Sequence, residues 1–270
     1  TTEMLSAPAV CGENPATSPF TKKRPTEGKV IYQVRLTGDE NIPLTMHKLA
    51  SLEPLAVDIN LGCPAPEVRK YGGGVDLFAD RERLARVLAS ARMHWKGALT
   101  VKCRIGDSNG PWREILADRL ALFENSGIDA VTVHPRFFDE KLKRRARWDL
   151  FPWIASLTRL PIIANGDIVR FDERTRALLD SGRCSALMIG RMAAVKPWIF
   201  REFRGSGPAP DIDYLDVWMR FYDYVLDDFP PEKAIGRIKE FSAYFSRNFT
   251  YSHDLYRLIQ GAKDLPTLKA

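Results

Sequence analysis

Short, nearly all-apolar runs alternate with longer amphipathic segments over the first two-thirds of this chain, and that alternation leaves few architectures open. The runs VIYQVRL (30–36), AVDIN (56–60), LTVKCR (99–104), AVTVH (130–134), PIIAN (161–165) and ALMIG (186–190) have the length and residue types of strands. Between them, residues 41–52, 80–94, 112–125, 148–157 and 171–180 carry helical spacing, with Asp80 as an N-cap and Gly127 and Gly182 as stops. Apolar strands joined by amphipathic helices predict βα units around a parallel sheet buried on both faces. Residues 2–4 read as the tail of one more strand, which makes seven, and residues 5–28 as a loop with one short helical turn.

Polar residues collect where these strands end: Gln33, Asn60, Lys102 and Arg104, His134 and Arg136, Asn165 and Asp167, and Arg191. A doubly wound open sheet gathers its ligand groups mostly at one switch point, whereas a (β/α)₈ barrel collects them at the C-terminal mouth from nearly every strand. The expected fold is therefore an α/β TIM barrel over residues 1–204. Past Arg204 the rhythm stops. GSGPAP (205–210) reads as a linker, and 205–270 as a small helical domain. Its first helix has the stripe Leu215, Trp218, Met219, Tyr222, Val225, Leu226 and Phe229, and its second turns Ile235, Ile238, Phe241 and Phe245 inward.

Among 270 residues, no apolar run approaches the roughly 18 of a membrane span and no signal-peptide pattern opens the chain, so a soluble, cytoplasmic protein is expected. The four cysteines, at 11, 63, 103 and 184, form no CxxC pair; they read as reduced thiols, with no metal site. A net charge of +6 leans mildly toward polyanionic partners, though many enzymes without a nucleic-acid partner are as basic. The densest basic cluster is Lys141, Lys143, Arg144, Arg145 and Arg147.

Chemistry concentrates in VDINLGCPAPEVRKYGGG (57–74), a strand that runs out into a glycine-rich loop with Cys63 between Gly62 and Pro64. A cysteine alone packs as a small hydrophobe. At a strand end, with an unperturbed pKa of about 8.5, it is also a thiol that can donate a proton at neutral pH. Lys102 in an apolar strand needs an anion or a hydrogen-bonding partner, either a structural one or a ligand. Asn165-Gly166-Asp167 and Ile189-Gly190-Arg191 follow consecutive strands, where glycines admit a phosphate to the backbone and Arg191 adds a matching charge.

NLGCPAPEVRKYGGG, VKCRIG, VTVHPR, IIANGDI and LMIGRMAAVKPWIF, in this order, resemble the tRNA-dihydrouridine synthases, and the helical tail with Arg237-Ile238-Lys239 is similar to that family's C-terminal domain. The resemblance implies reduction of uridine in tRNA. Hydride comes from FMN to C6 and a proton from Cys63 to C5, with NADPH as the reductant. It implies flavin contacts from Gln33, Lys102, His134, Asn165, Gly166, Asp167, Gly190 and Arg191. Asn60 and Arg136 are candidates for contacting the substrate, and the basic run with Arg144 and Arg145 reads either as a solvated loop or as an RNA-backbone contact, with Arg237 and Lys239 as a second RNA surface; a monomer with no metal is expected. In that family an Ala-Pro-Met strand and a helix precede the Thr-Glu-Met that stands here at 2–4, so the resemblance implies a barrel entered after its first strand. Two positions depart from the pattern: His134-Pro135-Arg136 stands where His-Gly-Arg is usual, and Val75-Asp76 follows the glycines in place of small residues. The rival readings are a flavin barrel acting on free pyrimidines and an RNA-binding paralogue without catalysis.

Overall fold

The computed structural model describes residues 1–14, 17–140, 143–204 and 211–269. Seven strands are assigned among them: β1 (Leu5–Ser6), β2 (Ile31–Arg35), β3 (Ala56–Leu61), β4 (Ala98–Arg104), β5 (Ala130–His134), β6 (Ile162–Asn165) and β7 (Ala186–Met188). Each pairs in parallel with the next, in the order β1-β2-β3-β4-β5-β6-β7. A doubly wound sheet reverses direction at its switch point, while this one never does, so the winding is that of a (β/α)₈ barrel.

Helices α1 (Ala7–Gly12), α2 (Ile42–Ala50), α3 (Pro66–Arg69), α4 (Val75–Ala79), α5 (Arg81–His94), α6 (Trp112–Asn125), α7 (Phe151–Ser156) and α8 (Glu173–Asp180) fill the connections. Asn41 Oδ1 accepts from the Leu44 amide at 3.0 Å and Asp80 Oδ1 from the Arg83 amide at 3.0 Å, the N-caps of α2 and α5. The first strand lies at Leu5–Ser6 rather than at 2–4; residues 2–4 instead run beside β2, with the Thr2 amide donating to the Ile31 carbonyl at 2.9 Å. The expected loop from residue 5 onward contains a six-residue helix, α1, which Ser6 caps by accepting from the Ala9 amide.

The register sorts each strand into two faces. Val34, Ile59, Val101 and Val133 are fully buried on one of them. The other carries Gln33, Asp58 and Thr100 in one paired row and Asn60, Lys102 and Thr132 in the next, with Arg104 paired to His134 beyond. Branched apolar side chains ordinarily fill such a barrel interior. A polar face on a buried sheet has to be held together by internal hydrogen bonds or by a ligand.

The chain divides into two compact units, one of Thr1–Asp167 with Arg176–Met188 and the other of Ile168–Thr175 with Ile189–Ala270. In the second unit, α9 (Arg191–Val195), α10 (Ile199–Phe203), α11 (Tyr214–Asp228), α12 (Pro231–Phe245), α13 (Ser252–Gly261) and α14 (Leu265–Lys269) follow one another. Tyr222, Val225, Ala234, Ile238, Ala262 and Leu268 form its core, and Trp218 Nε1 donates to Ser242 Oγ at 2.8 Å. Leu215 and Leu226, read as part of the buried stripe of α11, are exposed; Tyr222 and Val225 carry its packing face. The expected linker at 205–210 and Lys141 of the basic run lie outside the described residues.

After β3 the chain must turn back sharply to start α4, and Gly74 makes this possible. Its φ is +60°, and a Cβ there would stand 2.4 Å from the Cys63 carbonyl oxygen. Gly74→Ala is expected to lower the unfolding free energy by at least about 2 kcal/mol in urea titration. Gly12→Ala, where nothing lies within 4 Å of the added carbon, should change it by less than about 0.5 kcal/mol.

Candidate active site

The polar face begins with a continuous hydrogen-bonded chain. Thr100 Oγ1 donates to Asp58 Oδ1 at 2.6 Å, Gln33 Nε2 donates to Asp58 Oδ2 at 2.7 Å, and Asn60 Nδ2 donates to Gln33 Oε1 at 2.8 Å. Asn60 Oδ1 then accepts from the Gly62 and Cys63 amides at 3.2 and 3.0 Å. Burial pushes the Asp58 carboxyl above its ordinary range, opposed by its two hydrogen bonds and by the charge of Lys102. Cys63 is half-buried, and its thiol has no hydrogen bond among the described residues.

Lys102 sits one strand over, paired in register with Asn60, and is half-buried. Desolvation pushes its ammonium pKa down, against the opposing charge of Asp58, and it makes no hydrogen bond or ion pair among the described residues. A cation in this state matches an anionic or carbonyl-bearing ligand.

At the end of β5, Arg136 Nη1 donates to His134 Nε2 at 2.7 Å, and Arg136 Nη2 reaches both oxygens of Asp167 at 2.6 Å. A guanidinium has no acceptor, so His134 Nε2 is unprotonated and the neutral ring carries its proton on Nδ1. Burial first, then the positive charges of Lys102, Arg104 and Arg136, lower the His134 pKa to about 3. Gly166 backs the same ring: its φ is +104°, and a Cβ would lie 2.6 Å from His134 Cδ2. Trp148 Nε1 holds the Gly166 carbonyl at 2.8 Å, and Asp167 Oδ2 also accepts from the Ala146 amide at 2.8 Å.

Both departures from the family pattern have local explanations. The Arg136 amide donates to the His134 carbonyl at 2.7 Å, a tight turn centred on Pro135, whose ring-fixed φ suits an inverse γ-turn. Asp76 forms an ion pair with Arg69 at 2.9 Å in the first turn of α4, and Val75 is buried.

The remaining expected site residues fall in both compact units. Asn165 Nδ2 donates to the Met188 carbonyl at 2.8 Å, tying β6 to β7. Gly190 and Arg191 begin α9 in the second unit. Arg136, expected at the substrate, is 3% exposed with its donors committed to His134, Asp167 and the Arg144 carbonyl. Arg144 and Arg145 are exposed, as is Lys143, whereas Arg147 pairs with Glu140 and covers the Phe137 ring at 4.6 Å. In α12, Arg237 lies over Phe229 at 5.1 Å, and Lys239 Nζ donates to the Gln260 carbonyl at 2.9 Å. Asp58 and Thr100 were not singled out from sequence, although an acid inside the apolar run AVDIN, two residues before Asn60 and so on the same strand face, was a readable signal. Among the described residues no group of three or more His, Cys, Asp or Glu can hold a metal ion, and no helix is long and apolar enough to cross a membrane.

A family model described as dihydrouridine synthase matches residues 1–250. A tRNA-dihydrouridine(16) synthase of Ralstonia nicotianae is 31% identical over 243 residues, covering 87% of this chain and 73% of that protein. A probable tRNA-dihydrouridine synthase of Mycobacterium leprae is 28% identical over 279 residues, covering 98% and 72%. A 2-naphthoyl-CoA reductase structure aligns over 72% of this chain and 33% of its own, with TM-score 0.50 and 13% identity, a likeness in fold alone.

The buried neutral imidazole has a stability consequence. The folded-state pKa of His134, about 3, lies below the ordinary 6.5, so between those values the unfolded chain binds the extra proton. Its contribution is therefore complete above about pH 6.5 and declines as pH falls toward 3, by up to about 1.4 kcal/mol per pH unit. Urea titrations from pH 7 to 4 on wild type and His134→Gln should show a shallower pH slope in the variant; parallel slopes would contradict the assignment.

Proposed function

Because this chain belongs to the dihydrouridine synthase family, we propose that it reduces uridine to 5,6-dihydrouridine in tRNA, using FMN and NADPH, with Cys63 as the proton donor. One observation carries the reading. Among the described residues, a part-exposed thiol that makes no hydrogen bond stands at the end of β3, while a half-buried ammonium that makes no hydrogen bond or ion pair stands on the paired strand beside it. The first suits a proton donor, and the second suits a ligand whose reduced form is an anion.

The residues present fit FMN. Lys102 offers a desolvated cation to the N1–C2 edge of the ring, and Gln33 keeps one amide N–H beyond its bond to Asp58. His134, kept neutral mainly by burial and fixed in one tautomer by Arg136, has its Nδ1–H as a donor. Gly190 and Arg191, exposed residues of the second unit, carry the phosphate role on the sequence reading alone. When bound, the flavin supplies the hydride that reaches C6 of uracil. Cys63 gives its proton to C5, and the two additions together saturate the 5,6 bond. Asn60 has one N–H left after its bond to Gln33, and this donor is offered to a carbonyl of the base.

RNA recognition rests on the exposed Lys143, Arg144 and Arg145, which release counterions on meeting a phosphate backbone. The target base leaves its stack to reach the sheet's polar face. The helices of 205–270 are the proposed second RNA surface, at Arg237 and Lys239, where contact would compete with the Phe229 ring and the Gln260 carbonyl that these side chains now meet.

Cys63→Ala is expected to retain bound flavin by its visible spectrum while dihydrouridine formation falls by about 100-fold or more; full turnover by the variant removes Cys63 from the reaction. Reversing Arg144 and Arg145 to Glu should weaken tRNA binding and lower the slope of log affinity against log salt. An unchanged slope places the RNA backbone elsewhere.

A further inference from the structure

The bonds around Asp58 have a direction that nothing in the chain can reverse. Backbone amides only donate, so the Gly62 and Cys63 N–H groups require Asn60 to face them with Oδ1. That turns Asn60 Nδ2 toward Gln33, which must answer with Oε1, and so Gln33 Nε2 points at Asp58. Asp58 is the group that can end the series, because its oxygen accepts there, and it is 2% exposed. Thr100 Oγ1 anchors its second oxygen from β4. Three neighbouring strands thereby fix the two amides that open the Cys63 loop.

We propose that Asp58 is a positioning residue for Cys63, acting through Gln33 and Asn60 to hold the Gly62–Cys63 amides in place. The importance of this for turnover rests on the reading of Cys63 as proton donor. Without an acceptor at position 58, Gln33 Nε2 loses its anchor and Gln33 is free to move away from Asn60, so that only the two backbone amides then hold the Asn60 side chain. The competing role for a buried carboxylate here is as counter-charge to Lys102, which faces it. Geometry and charge separate cleanly in one substitution. In Asp58→Asn, Oδ1 can still accept from Gln33 while Nδ2 donates to Thr100 Oγ1, so the series survives and only the charge is lost.

The test is the rate at which iodoacetamide alkylates Cys63 in the full-length protein, followed by mass spectrometry of the Cys63 peptide, alongside kcat and KM for tRNA. Asp58→Ala is expected to change the alkylation rate by about threefold to tenfold, the factor one hydrogen bond is worth, and to lower kcat with KM little changed. Asp58→Asn is expected to stay within about twofold of wild type in both. If Asp58→Ala does not fold, Gln33→Met takes its place, since it keeps the carboxylate and breaks the series; it should show the same change in alkylation. Wild-type alkylation in the folded series-breaking variant, or an Asp58→Asn protein as altered as Asp58→Ala, overturns the proposal. A wild-type protein that forms no dihydrouridine counts against the uridine reading alone, because alkylation is measured without turnover.

Discussion

A carboxylate, two amides and a lysine stand on one face of a parallel sheet whose other face carries Val34, Ile59, Val101 and Val133, and the requirement that each buried polar group find a partner governs the rest of the site. Leaving such a group unpaired costs about 1–3 kcal/mol, more when it is charged. Thr100, Asp58, Gln33 and Asn60 meet that requirement by joining β2, β3 and β4 side to side and passing the last bond to the amides before the Cys63 thiol. The same bonds that satisfy a polar interior also hold the backbone amide of Cys63. Lys102 stands outside this arrangement: burial pushes its ammonium pKa down, and it makes no hydrogen bond or ion pair among the described residues.

A second assembly holds the other side of the face by similar means. Arg136 is spent on His134 and Asp167 rather than on solvent, which fixes one tautomer of the imidazole, while burial first and then the neighbouring cations keep it uncharged. Gly166 lets the backbone lie against that ring, and Trp148 pins the Gly166 carbonyl in place. Pro135, a departure from the family pattern, contributes by tightening the turn that sends Arg136 back toward His134. Arg136, expected at the substrate, is buried against His134 and Asp167.

The elements themselves were largely legible. The strands at 56–60 and 130–134 and the helix at 112–125 agree with β3, β5 and α6 within a residue, because their apolar periodicity and their stops are local properties. Residues 2–6 were misplaced because a two-residue strand gains its definition from pairing with β2, which no local pattern records. Leu215 and Leu226 belonged to the periodicity of α11 but not to its buried face, since which side of a helix is covered depends on the neighbour it meets. Cys63, Lys102 and His134 could be picked out because a thiol, an ammonium or an imidazole at the end of an apolar strand is conspicuous. Asp58 and Thr100 were hidden inside strands, where only register shows what a side chain faces.

By itself, then, the sequence determined the βα alternation, the sites where strands stop, and the identity of the groups available for chemistry, all of which follow from short-range periodicity and backbone stereochemistry. The tertiary structure decided which of those groups touch. It turned Arg136 inward to His134 and Asp167, left Arg144 and Arg145 in solvent, and joined Asp58 to a thiol loop through residues 25 positions apart and more. Hydrogen bonds between strands depend on register and on the direction of each donor, and both come into existence only when the strands pair.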